Sequence, residues 1–223
     1  MKLVHIGMDM QLEFDRDPVK EVIIESPDCF MLYIRELIRQ SEGEEGGFVL
    51  SEDDKIQNIS KCIDIIVNPF DVDINDKKIL GKIYDQLKLA AYDERFYVHT
   101  QEMIRQVLSY IIDLINDSDF IMDINADVDM SLLFKATGVK LECDEDDFLE
   151  KIFKYIELVT ELLNKKLIIF VNLRNYINDN KYKEFIDMCR YKKLSVLLLE
   201  SSKMNRISCV KQYIIDKDRC EIF

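Results

Sequence analysis

The chain has no tryptophan, only three prolines, six glycines and two histidines in 223 residues. So little glycine and proline excludes a collagen-like or low-complexity chain. With only His5 and His99 present, no ordered Ser-His-Asp or Cys-His arrangement is written into the sequence. No apolar run reaches the roughly 18 residues needed to cross a bilayer. The start, Met1-Lys2-Leu3-Val4-His5-Ile6-Gly7, alternates where a secretory signal would be continuously apolar, so a cytoplasmic protein is expected. Six cysteines (Cys29, Cys62, Cys143, Cys189, Cys209, Cys220) include no CxxC pair, which excludes a zinc ribbon and a redox motif. They suit a reducing compartment, most of them as small core hydrophobes. A GxxxxGK[ST] phosphate loop is missing, and the glycine-rich Gly43-Glu44-Glu45-Gly46-Gly47 carries two glutamates that would repel a phosphate.

What is present is an apolar share of 48% beside 33% charged residues, the balance of a well-ordered, helix-rich protein. The length allows one core with a helical extension but not two full domains. The net charge of −13 taken alone argues against nucleic acid, whose affinity comes largely from Lys and Arg replacing counterions at phosphates. The distribution of charge points the other way. From Lys165 to Lys211 there are eleven basic against four acidic residues, while Asp117–Glu150 holds eleven acids against Lys135 and Lys140. Such segregation lets one surface attract phosphate while another repels it or holds cations; solvated helix faces would read the same way.

Val4, Ile6, Met8, Met10, Leu12 and Phe14 recur at period two and predict a half-buried strand or hairpin arm on one face. A strand over 21–25 follows. Ser26-Pro27 supplies an N-cap and a first-turn proline for a helix to about Ser41, with Phe30, Ile34, Leu37 and Ile38 as its stripe. Strands are predicted at 48–50 and 62–67. A long helix capped by Asn75 or Asp76 comes next, then a second over 102–116 that buries Ile104, Val107, Leu108, Ile111, Ile112 and Ile115. Further strands at 120–124 and 139–141 flank a short helix from Asp129 to Ala136 stopped by Gly138. A helix over 146–164 leads to two continuous apolar runs, 167–171 and 196–199, separated by a helix around 182–190. Continuous runs mean that both faces are covered, as in parallel strands of a βαβ unit, so the core is an α/β sheet. The run 167–172 resembles the acidic strand of P-loop ATPases but ends in Asn172, as in a degenerate, nucleotide-free relative. A hairpin from Tyr213 to Phe223 closes the sheet edge.

Several blocks occur together in a fixed order: Ser41–Ser51, Asp73–Leu80, Leu133–Lys140, Lys165–Leu173 and Val196–Glu200, with the ending Tyr213–Ile222. In these blocks and their order the chain resembles the Csn2 family of type II-A CRISPR-associated proteins. The resemblance implies an α/β, degenerate P-loop-like head with a mixed or parallel sheet (1–74 and 130–223) and a helical leg (75–129). It implies a homotetramer, a ring whose positively lined hole threads double-stranded DNA from its ends, with calcium setting the geometry of the legs. Such a protein serves acquisition of new spacers beside the CRISPR integrase complex and the guide-RNA nuclease, without established catalysis.

For calcium, which takes six to eight oxygen ligands, the resemblance points to Asp119, Asp123, Asp127 and Asp129. Taken singly, each is equally well a solvated acid or, for Asp129, a helix cap. Between Ile124 and Leu132 the acidic spacing departs from that of longer members. For phosphates, the candidates are Lys135, Lys140, Lys165, Lys166, Arg174, Arg190, Lys192 and Lys193. Two other readings stand beside this one. Asp123 and Asp127 with Lys140 could form a metal-dependent nuclease, or the chain could be a scaffold that never touches DNA.

Overall fold

The computed structural model describes residues 1–8, 11–142, 147–203 and 210–222; Met10, Cys143, Asp146, Cys209 and Phe223, named above, lie outside them. The chain divides into two compact units, Met1–Ile74 with Cys143–Phe223, and Asn75–Glu142. In the first unit β1 (Lys2–His5) and β2 (Gln11–Glu13) form a hairpin, and β3 (Val19–Ile24) enters α1 (Pro27–Ser41). After β4 (Phe48–Glu52) and β5 (Lys55–Gln57), α2 (Ile59–Cys62) leads to β6 (Ile63–Ile66). The second unit holds α3 (Lys77–Ala91), α4 (Tyr97–Asn116) and α5 (Met130–Ala136). The chain then returns to the first unit with α6 (Phe148–Leu163), β7 (Leu167–Val171), α7 (Asp179–Tyr191), β8 (Val196–Glu200), β9 (Gln212–Ile215) and β10 (Glu221–Ile222).

The fold is α/β. Six strands form one sheet in the order β10-β9-β3-β8-β7-β6, parallel except where β10 meets β9. Every residue of β7 and β8 is buried, as their unbroken apolar runs require. One face, through Val22, Ile24, Ile169, Leu197 and Leu199, packs on Leu37 of α1 and on Leu3, Leu12, Phe14 and Leu50 from the four-stranded antiparallel sheet β2-β1-β4-β5 and its border. On the other face Phe170 meets Phe185 of α7 edge-on at 5.7 Å, and Phe153 of α6 stacks on the same ring at 5.2 Å. Between β3 and α1 only Glu25 and Ser26 intervene, with Pro27 at the helix start; Ser26 sits at the N-cap position without a side-chain cap bond.

The period-two stripe resolves into a hairpin, and its two arms do not share parity. Leu3 lies opposite Leu12 and Val4 opposite Gln11. Directly paired residues face the same way, so the buried set is Leu3, Leu12 and Phe14, while Ile6 at the turn is 84% exposed.

The loop 43–47 is occupied by protein groups. Gln40, on the buried side of α1, gives its Nε2–H to Phe48 O and takes the Phe48 N–H on Oε1, both at 3.0 Å. Glu36 accepts from the Gly47 N–H and contacts His5 Nε2 at 3.1 Å. A Cβ on Gly46 would lie 2.5 Å from Gln40 Cδ, which explains the glycine. Gly46→Ala is expected to cost about 1–3 kcal/mol by displacing a buried, doubly bonded amide. Gly81→Ala, at an open helical position, should instead stabilise by about 0.5–1 kcal/mol. Urea denaturation followed by far-UV circular dichroism checks both; equal signs would remove the packing role of Gly46.

The second unit departs from expectation in four ways. Residues 120–124 and 139–141 are not strands. Phe120 and Ile121 are fully or largely exposed with no ladder beside them. Around 139–141 side chains of α3 and its entry take the backbone groups: Tyr84 Oη–H donates to Val139 O at 2.8 Å, and Asn75 receives the Leu141 N–H at 2.8 Å and donates to Leu141 O at 3.2 Å. These bonds, with the Tyr84–Phe134 ring contact, tie α5 to α3, so residues 130–142, expected with the α/β unit, belong to the helical one. Asp76, not Asn75, caps α3 through Lys78 N–H. Finally, α4 starts five residues earlier than expected, and its stripe is not buried: Ile104, Leu108 and Ile115 are half-buried, while Val107, Ile111 and Ile112 are exposed.

Candidate nucleic-acid interface

Parallel strands begin at one common edge of their sheet, so residues just before β3, β7 and β8 must be neighbours. Lys165 and Lys166 precede β7, Lys192 and Lys193 precede β8, and Arg16 precedes β3. At this edge Lys165, Lys166 and Lys193 line a surface hollow of about 390 Å³ with Asn164 and Thr160. An adjoining hollow of about 710 Å³ shares Lys193 and Ser195 and adds Arg16 and Arg190. Four of the eight expected phosphate ligands thus converge, and Arg16, absent from that set, joins them. The signal for Arg16 lay in its place just ahead of a third parallel strand.

The cations at this edge differ in what holds them. Arg190 grips Asp17 with two bonds, Nε to Oδ1 at 3.0 Å and Nη2 to Oδ2 at 2.8 Å. Burial pushes the Asp17 carboxyl up, but those bonds and the Val19 N–H outweigh it and hold it below the ordinary range. Lys166 bonds Glu52 and, at 3.1 Å, Gln57; the Glu52 hydrogen bond raises its ammonium pKa. Lys165 Nζ donates to Ser60 O at 3.0 Å and Ile63 O at 2.7 Å, closing the α2–β6 corner. Lys192 pairs with Glu157 of α6 at 2.8 Å, which raises its pKa. Arg16 and Lys193 are exposed and form no ion pair among the described residues, and Lys193 sits at the positive φ of 55° that ends α7.

Two other candidates, Lys135 and Lys140, are exposed in the helical unit. Arg174 requires correction. It follows β7 at the opposite, carboxyl-terminal edge, is 4% exposed, and gives Nη1 to Glu21 Oε1 at 3.2 Å. Its guanidinium also lies over the Tyr182 ring at 4.5 Å, so it is a core ion and does not reach a phosphate in this fold.

The acidic segment does not converge either. Among the described residues no group of three or more His, Cys, Asp or Glu side chains is placed to hold a metal. Asp123 Oδ1 accepts from the Ile124 N–H, and Asp129 caps α5 through Ser131 N–H at 3.0 Å while contacting Lys88 at 3.3 Å. The Ser131 and Lys88 bonds hold the Asp129 carboxyl below its ordinary range. Asp119, Asp123, Asp127 and Asp129 of one chain therefore do not by themselves fit a calcium cage.

Of the cysteines, Cys29, Cys62 and Cys189 are buried, with burial pushing the Cys189 thiol up, while Cys220 is exposed. Among the described residues no helix is long and apolar enough to cross a membrane.

Fold and edge together define an α/β protein with a parallel-sheet core, a separate helical unit and a basic strand edge. The family model for CRISPR-associated protein (Cas_Csn2) matches residues 40–219, and the chain belongs to the Csn2 family of CRISPR-associated proteins. Its similarity extends to CRISPR-associated protein Csn2 of Streptococcus agalactiae, 30% identical over 176 residues, which is 74% of each chain. CRISPR-associated protein Csn2 of Enterococcus faecalis is 27% identical over 158 residues, 69% of each chain.

Proposed function

We propose that this chain binds double-stranded DNA by its ends, without sequence preference, as a tetrameric ring serving acquisition of new spacers in type II-A CRISPR immunity. The observation that carries the reading is the gathering of Lys165, Lys166, Arg190, Lys193 and Arg16 at one strand edge. Sequence-neutral binding needs cations aimed at phosphates and no helix fitted to the major groove. Assembly is supported by α4, where Tyr97, Ile104, Leu108 and Ile112 line an open hollow of about 700 Å³ with Ala126. An apolar stripe left facing water on a 20-residue helix marks a partner surface. The role is binding and not catalysis, carried out in the cytoplasm beside the CRISPR integrase complex and the guide-RNA nuclease. Calcium dependence rests on the family resemblance and takes no part in this account of the DNA contact, since the four aspartates of one chain do not meet.

The test compares one duplex sequence in linear and covalently closed form, by gel shift, in calcium and in chelator, while the DNA is watched for cleavage. Binding of the linear form alone, in calcium and without cutting, is expected. Equal binding of both forms would overturn end-threading, metal-dependent cutting would make the chain a nuclease, and no binding at all would leave a scaffold.

A further inference from the structure

At the carboxyl-terminal edge of the sheet, away from the basic edge, lies a dry cluster of ions that the proposed DNA contact does not use. Glu21 of β3 is 1% exposed, Glu200 at the end of β8 is 2% exposed and Arg174 is 4% exposed. The single guanidinium is committed to Glu21, whose second oxygen takes the Gln212 Nε2–H of β9 at 2.7 Å. Its Nη2 reaches outward to the half-exposed Asp179 of α7 at 3.4 Å. Glu200 is left with the Arg174 backbone N–H at 3.2 Å. The groups facing it are therefore Glu21 from β3, Arg174 from the turn after β7, Asp179 and Tyr182 from α7, and the neutral Gln212 from β9.

Two buried carboxylates share one buried cation, so the interior is one positive charge short. Removing an unpaired carboxylate from water is so unfavourable that the group takes up a proton instead. We infer that the Glu21–Arg174–Glu200 cluster holds one proton at neutral pH and acts as a proton-linked clasp, joining β3, β8 and β9 to the turn after β7 and to α7. The proton resides on Glu200, because Glu21 has both oxygens served by donors. Burial, with the nearby Glu21 charge against it and the Arg174 and Leu173 N–H bonds and the Arg174 charge in its favour, moves the Glu200 carboxyl from 4.5 up to about 7.

The sign follows from linkage. Unfolded, Glu200 loses its proton near 4.5; folded, it keeps it to about 7. Below 4.5 both states are protonated and the clasp is at full strength, and between 4.5 and about 7 the unfolded state gains from ionising while the folded state does not. The clasp thus weakens as pH rises through that window and is released above it.

The experiment is urea denaturation, followed by far-UV circular dichroism, of the wild-type protein and Glu200→Gln at pH values from 5 to 8.5. The neutral amide cannot ionise, so the wild-type unfolding constant relative to that of the variant is expected to rise about a hundredfold between pH 5 and 8. Parallel pH profiles would overturn the inference. A measurement that needs no variant is the infrared C=O stretch of a protonated carboxyl in the folded wild type. The band should be present at pH 6 and gone by pH 8.5, and its absence at pH 6 would equally sink the clasp.

Discussion

Arg174→Met is expected to unfold or nearly unfold the α/β unit, losing about 3–5 kcal/mol, the usual cost of stripping one partner from a buried ion pair. Against a total stability of about 5–15 kcal/mol for a domain, that is most of what holds it folded. The reason is local. Glu21 and Glu200, 1% and 2% exposed, would remain in the interior with no cation, and Gln212 alone would serve Glu21. Replacing the three ions together by Glu21→Leu, Arg174→Met and Glu200→Leu should return much of the loss, since apolar groups of similar volume need no solvation. Urea titration of the single and triple variants checks the pair of outcomes. If Arg174→Met kept its stability but lost DNA affinity, the guanidinium would be a phosphate ligand after all, and its assignment to the core would fall.

The continuous hydrophobicity of 167–171 and 196–199 is the strongest signal in the sequence, because strands buried on both faces leave no alternation to misread. Parallel pairing also has a consequence for charge. If two strands are parallel, the lysines before each must share an edge, and Arg174, which follows one of them, cannot join that edge. The hairpin β1–β2 is harder to read because pairing Leu3 with Leu12 exchanges odd for even across the turn, which no single periodicity can register. The boundary of the helical unit is illegible for a different reason. It is fixed by Tyr84 and Asn75 reaching the backbone at Val139 and Leu141, polar contacts separated by 55 and 66 residues that leave no local pattern. In α4 the amphipathic stripe is plain in the sequence, but a stripe does not say what covers it, and Val107, Ile111 and Ile112 stay exposed within the chain.

Among the cations of the basic edge, Arg16 and Lys193 give the cleanest test of DNA contact, because neither has an ion pair to lose among the described residues. Lys165 would confuse the result: its ammonium closes two carbonyls at the α2–β6 corner, so Lys165→Ala should lower stability whether or not DNA is bound. Arg16→Glu with Lys193→Glu should leave the unfolding midpoint within about 0.5 kcal/mol of the parent, as surface changes usually do. DNA affinity should fall by about ten- to a hundredfold, the worth of losing one charge-assisted phosphate contact of about 1.5–3 kcal/mol. The drop should be uniform across sequences, and the slope of log affinity against log salt should decrease by about 1 for each phosphate contact removed. Fluorescence anisotropy of a labelled linear duplex over a salt series, with the folded state verified in parallel, measures both quantities. An unchanged affinity and slope would take the amino-terminal strand edge out of the DNA site and leave Lys135 and Lys140, exposed in the helical unit, as the cations to test next.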